Sequence, residues 1–112
     1  MSGKRFGALD LVAATEAVLM SGLTGTNSTV NVRLVNRNST QVKVRLALVD
    51  APAATALTAL ADEDYLEYDT VILGNEVLEN TGIVVPEDFS LVARSDSNDV
   101  TCIAFGFEEQ IV

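Results

Sequence analysis

The sequence predicts an all-β fold: an antiparallel β-sandwich, Ig-like or jelly-roll-like, of about seven or eight strands, with an N-terminal arm and one short helical or irregular insertion. Three observations predict it. Turn signals recur every ~8–12 residues from Ser21 onward. Short runs rich in Val, Ile, Leu, Tyr and Phe lie between them. The clearest stretch, Ser28 to Asp50, has a period of two on both sides of a polar turn. Val30, Val32 and Leu34 alternate with Asn31, Arg33 and Val35. After Asn36-Arg37-Asn38-Ser39-Thr40 the pattern resumes, with Val42, Val44, Leu46 and Leu48 against Gln41, Lys43, Arg45 and Ala47. Such alternation places one set of side chains on each face of a sheet, and the small polar residues between suit a turn. The stretch therefore reads as a β-hairpin on which the remaining strands assemble. Burying the seven branched aliphatics of one face contributes on the order of 10–20 kcal/mol before chain entropy is subtracted.

The other elements follow in order. Residues 1–8 read as an arm, because two glycines and two bases surround Phe6 without periodicity. Residues 9–112 form the single domain. Leu9 to Met20 supplies one or two strands, with helix as the alternative reading, and Ser21 to Asn27 is a loop. Ala51 to Asp64 is alanine-rich and reads as a short helix or irregular excursion, with Asp50 as its cap and Pro52 in its first turn. Strands are expected at Tyr65 to Leu73, Val77 to Val85 with a bulge or bend at Gly82, Phe89 to Arg94, and Val100 to Phe107. In the last of these Val100, Cys102 and Ala104 share one face, and Ile103, Phe105 and Phe107 the other. Both faces are apolar. The outer one is expected to lie under the N-terminal segment or against another chain.

Composition excludes several function classes. At 112 residues the chain holds one core. Its mean hydropathy is positive, yet no apolar run approaches the ~18 residues of a membrane span, so no membrane partner is expected. The basic N-terminus is followed by Asp10 and Glu16, unlike a signal peptide. Residues 1–45 carry six bases and two acids, net +4, and residues 46–112 one base and fourteen acids, net −13. Overall acidity argues against nucleic acid as a partner. The asymmetry suggests that a basic strand face, Arg33, Lys43 and Arg45, meets acidic loops of a neighbouring subunit.

Catalytic signals are absent from the sequence. There is no histidine, hence no Ser–His or Cys–His arrangement. Gly22-Leu23-Thr24-Gly25 has neither the spacing nor the lysine of a phosphate loop. The lone Cys102 sits in an apolar strand and reads as a buried thiol. The acidic clusters Asp62 to Asp69 and Asp96 to Asp99 do not fit a twelve-residue Ca²⁺ loop and read as solvated edges. Asn27-Ser28-Thr29 and Asn38-Ser39-Thr40 match glycosylation sequons and read as turn residues. No catalytic, cofactor or metal residue is expected.

The order of several strings carries a resemblance. They are Val30-Asn31-Val32-Arg33-Leu34-Val35-Asn36-Arg37-Asn38, Val44-Arg45-Leu46-Ala47, Tyr65-Leu66-Glu67-Tyr68-Asp69-Thr70-Val71-Ile72-Leu73, Val77-Leu78-Glu79-Asn80-Thr81-Gly82-Ile83, Leu91-Val92-Ala93-Arg94-Ser95 and Phe105-Gly106-Phe107-Glu108-Glu109. From about Ser28 onward the chain resembles a group of small virion proteins of tailed bacteriophages. It departs from that group at Ser21 to Gly25, where related chains have a Val-Pro-Ala-Gly-like segment, and around Ala53 to Ala61, which is longer than usual. The resemblance implies a structural β-sandwich found on the virion and made in the host cytoplasm, with no catalytic residues. A capsid decoration (cement) protein is the first expectation. It would bind major capsid protein and itself, as a homo-oligomer about a symmetry axis with a trimer as one candidate. Lys4, Arg5 and Phe6 would anchor the arm, Ile103, Phe105 and Phe107 would serve the subunit interface, and Arg33, Lys43 and Arg45 would meet acidic neighbours. A tail, fibre or adaptor component, with receptor binding as one role, is the second expectation. A carbohydrate-processing enzyme or lectin-like module is a third, against which the scarcity of aromatics counts.

Overall fold

The computed structural model describes residues 2–111. Its strands are β1 (Ser2–Leu11), β2 (Ala17–Ser21), β3 (Thr26–Asn36), β4 (Val42–Val49), β5 (Tyr65–Ile72), β6 (Val77–Val85), β7 (Ser90–Ser95) and β8 (Val100–Gln110). They form two four-stranded sheets, ordered β1-β8-β3-β6 and β2-β7-β4-β5. Every pairing is antiparallel. The first four strands pair with the last four in reverse order: β1 with β8, β2 with β7, β3 with β6, β4 with β5. The chain is thus one long ribbon, its tip at β4–β5, rolled up until β3 also meets β8 and β4 also meets β7. That is the double Greek key of a jelly roll, and it decides between the two sandwich types expected.

The alternating runs at the centre of the chain are strands, but they are not a hairpin. β3 and β4 lie in different sheets, and residues 37–41 cross between them as an arch. A hairpin would point both apolar faces the same way and need a further layer to cover them. The arch turns the faces toward each other, so that Val30, Val32 and Leu34 share one core with Val42, Val44 and Leu46, all six at most 1% exposed. Periodicity fixes which face is apolar and is silent about which strand lies alongside.

Asn36 holds the arch. Its side chain is fully buried. Nδ2 donates to the carbonyls of Thr40 (2.8 Å), Ile72 (3.1 Å) and Leu73 (3.1 Å). Oδ1 accepts from the Asn38 backbone N–H (2.9 Å) and the Asn38 side-chain amide (3.1 Å). One side chain therefore ties the crossing to the β5–β6 turn. That turn comes so close that a Cβ on Gly74 would sit 2.2 Å from the Ser39 carbonyl oxygen, a separation only glycine allows.

The expected arm is a strand. Residues 2–11 run antiparallel along β8, because an edge strand needs little beyond its backbone hydrogen bonds. Asn27, Ser28 and Thr29, read as turn residues, lie within β3, as does Thr26, read as loop. The insertion contains one helical turn, α1 (Ala56–Ala59), and a 3-10 turn at Asp62–Asp64. Thr55, not Asp50, stands at the α1 N-cap and makes no side-chain cap. The insertion covers one end of the outer face of β2-β7-β4-β5, packing Ala51 and Ala56 on Ala47, Val49 and Val92.

Register irregularities have a pattern. The extra residues fall on β1 (Phe6), β2 (Leu19), β5 (Leu66, and Tyr68 with Asp69 against Arg45) and β6 (Thr81 with Gly82 against Asn31). These four are the edge strands. The central pairings β3–β8 and β4–β7 run unbroken.

Asn36→Leu, branched at the same carbon but bulkier and unable to hydrogen bond, strands three carbonyls and an N–H. It is expected to lower unfolding free energy by about 3 kcal/mol in urea titrations. Asn36→Asp should be worse at neutral pH, because its carboxylate would face the same carbonyls. That extra penalty should fade as the carboxyl is protonated on acidification.

Candidate interaction surfaces

Strand register decides which predicted interface residues meet. On the outer face of β1-β8-β3-β6, Phe107 is flanked by Gly3 and Thr29, Phe105 by Arg5 and Asn31, and Ile103 by Ala8 and Arg33. Val84 and Val77 on β6 extend the apolar surface beyond Thr29 and Val35. Phe107, Val84 and Val77 are 48%, 56% and 47% exposed, and Ile103 and Phe105 are half-buried. The opposite side of β8, with Val100, Cys102 and Ala104, is fully buried. β1 lies beside β8 and not over it, so the N-terminal segment leaves the outer face open. Charges border the stripe. Arg33 pairs with Glu79 at 3.1 Å, whereas Arg5 has no carboxylate within 4 Å among the described residues.

Lys4 and Phe6 turn away from Arg5. Phe6 is the extra residue of the β1 bulge and packs on the core. The Lys4 ammonium lies 5.2 Å from the Phe6 ring centre and 3.2 Å from Glu108. With Ser21, Leu23 and Ser28 they line a cleft of about 150 Å³. Three consecutive residues expected to act as one anchor are therefore fixed on two sides of a strand.

The expected basic face is also divided. Arg33 is on β3, and Lys43 and Arg45 are on β4 in the other sheet, so the arch sends them to opposite sides of the sandwich. Lys43 and Arg45 instead line a groove of about 210 Å³ with Asp69, Arg94 and Asp96. Arg45 donates to both Asp69 carboxylate oxygens, at 2.7 and 3.3 Å. Its guanidinium carbon lies 4.2 Å from the Tyr68 ring centre, and Tyr68 stands edge-on to Tyr65 at 4.8 Å. Arg94 donates to Glu16 at 2.9 Å. The hydrogen bond from Arg45 holds the Asp69 carboxyl below its ordinary value and raises that of Arg45.

Asp69 adopts φ 51° inside β5, the left-handed conformation that Asp tolerates better than most side chains. The resulting bulge turns Tyr68 and Asp69 together toward Arg45. Strict alternation, as read from Tyr65 to Asp69, separates those two side chains, so pattern alone misses the cluster. The one available signal is Arg94, the only base after residue 45, in the middle of a strand.

Cys102, Asp64 and Glu67 are engaged in structure. Cys102 is buried, which pushes its thiol up to about 12 and keeps it protonated at neutral pH. Asp64 accepts the Ala61 N–H at 2.8 Å, and Glu67 accepts from Thr70 and Asn80 at 2.8 and 3.1 Å. Among the described residues no group of three or more His, Cys, Asp or Glu side chains is placed to hold a metal. Compared with known proteins, the sequence matches no family model and no curated protein.

Two outcomes are expected. Phe105→Ser with Phe107→Ser should lower unfolding free energy by no more than about 2 kcal/mol. Leu34→Ala in the core should cost about 3–4 kcal/mol. The double variant should also bind less of a hydrophobic dye than the parent. Because the folded state holds Asp69 below its unfolded value, its contribution to stability is present above about pH 4 and is lost as pH falls through the folded value. Asp69→Asn, which still suits the left-handed conformation, should remove that part of the acid dependence in urea titrations between pH 2.5 and 6.

Proposed function

We propose that the chain is a structural protein of a tailed-bacteriophage virion: a capsid decoration (cement) protein that binds the major capsid protein shell and acts by binding, not by turnover. The observation that carries this reading is the uncovered apolar stripe Ile103-Phe105-Phe107, extended by Val84 and Val77. A sheet face of this kind is stable once a second surface lies on it. The resemblance of the ordered strings to small phage virion proteins points the same way, as does the jelly roll, an architecture used by viral capsid domains. Fold analogy alone is a weak warrant for function, so the weight rests on the face.

Contacts available only on an assembled shell stabilise that shell by mass action, by about 2.7 kcal/mol per site at a hundred times the dissociation constant. Arg5, Ile103, Phe105 and Phe107 are the residues for shell or subunit contact. A homo-oligomer on the capsid surface uses the same face. The second reading, a tail or fibre component, follows from the same resemblance and differs in copy number, a handful per particle against hundreds.

The test is to add purified protein to undecorated shells. Co-sedimentation and a raised shell melting temperature are expected, with Phe107→Glu weakening both by at least tenfold in protein concentration. Failure to sediment, with an unchanged melting temperature, overturns the proposal.

A further inference from the structure

We propose that the groove formed by Lys43, Arg45 and Arg94 on the outer face of β2-β7-β4-β5 is a docking site for carboxylate side chains carried on an acidic polypeptide segment. This does not rest on the virion reading.

Two features mark the groove as built. Arg45 and Arg94 stand directly opposite each other on β4 and β7. Like charges in that position are destabilising. Asp69, which lines the groove with them, has a left-handed backbone, unfavourable for a residue with a side chain. Both costs fall at one spot on a sheet that is otherwise regular in its central pair. A bulge interrupts the exposed backbone row at each edge strand; the one on β5 also aims Tyr68 and Asp69 at Arg45.

The groove also has the right donors. Its lining holds three cations and two carboxylates, and Glu16 brings a third carboxylate against Arg94, so the cluster is balanced in charge on a chain of charge −9, with Lys43 as the cation that has no carboxylate of its own among the described residues. Asp69 spends both oxygens on Arg45. Asp96 Oδ1 accepts the Lys43 N–H at 3.0 Å and the Ser97 hydroxyl at 3.2 Å. Glu16 takes one guanidinium nitrogen of Arg94. The Lys43 ammonium has no carboxylate within 4 Å among the described residues. It remains a donor, as do the outward N–H groups of both arginines. Asp69 and Tyr68 hold Arg45 in place and Glu16 holds Arg94, so little side-chain freedom is lost when an anion arrives.

The same geometry disfavours other ligands. Arg45 lies over one face of Tyr68, and no aromatic ring lines the groove itself. The groove's lining comes from β4, from the edge strand β5, and from β7 with the residue after it. It suits side chains reaching in from an extended segment better than a ligand that must be enclosed.

The test is a two-dimensional NMR titration of the full chain with the blocked peptide acetyl-Glu-Asp-Glu-Asp-amide, in parallel with inorganic phosphate at equal ionic strength. Saturable shifts are expected at Lys43, Arg45, Arg94 and their strand neighbours with the peptide, with affinity falling about threefold or more between 20 and 200 mM salt. Lys43→Gln breaks no internal ion pair, so it should leave the spectrum folded and weaken binding about fivefold. Arg94→Gln should abolish binding, and its melting temperature reports whether the fold survives. Concentration-dependent shifts at the groove without peptide would also support the site, with a second copy supplying the acids. Shifts scattered over the surface, or a groove that answers phosphate and not the peptide, would overturn the proposal.

Discussion

The architecture hangs on a single buried amide. At Asn36 the chain leaves one sheet, and by Val42 it has entered the other. A crossing this short leaves backbone groups of three segments pointing inward, and burial makes each of them expensive unless it is paired. Four hydrogen bonds from one side chain pair them, and a fifth holds the Asn38 side chain. Neither a hydrophobic residue nor a charged one can do this, since both donor and acceptor are needed within a few ångströms. Because the crossing is fixed, β3 and β4 face each other across the core, and their outward residues face away from each other. The separation of Arg33 from Lys43 and Arg45 is a direct result.

How far the sequence is legible follows from the same point. Alternation in Val30 to Leu34 and Val42 to Leu46 identifies the buried faces correctly, since burial is a property of one strand at a time. Pairing is a property of two, and a polar five-residue connection fits a hairpin and an arch equally well. The β1 strand is illegible for a different reason. Gly3, Gly7 and the Lys4-Arg5 pair carry no alternation. The strand is defined by its neighbour β8, whose outer face reads as apolar. The Asp69 bulge is hidden because Asp is common both in solvated strands and in left-handed turns, and only the Arg45 partner distinguishes the two. The Gly82 bulge is legible, because a glycine weakens a strand interior and marks a place where the backbone bends or bulges.

The two outer faces differ in physical character, and so in what they can bind. The β1-β8-β3-β6 face offers apolar area with charges at its border. Association there would be driven mainly by burial and would change little with salt. The other face is divided between the alanine-rich insertion, which covers Ala47, Val49 and Val92, and a groove of paired charges with Lys43 free of a carboxylate partner among the described residues. Contacts there are electrostatic, selective for sign and sensitive to ionic strength. Contacts made through the two faces would therefore respond to different conditions.

The edges explain why faces are the route to association at all. A two-sheet sandwich has four edge strands, each presenting unpaired backbone groups that could recruit another chain. Here all four carry an irregularity, at Phe6, Leu19, Leu66 with Tyr68–Asp69, and Thr81–Gly82, while the strands between them carry none in their pairings with one another. Chance placement would spread bulges over central strands as well, where they would disrupt two ladders and not one. At the edges a bulge twists and interrupts the exposed backbone row and so discourages open-ended strand addition. A molecule that blocks its edges yet leaves Phe105 and Phe107 uncovered is protected against indiscriminate sheet growth and still able to dock.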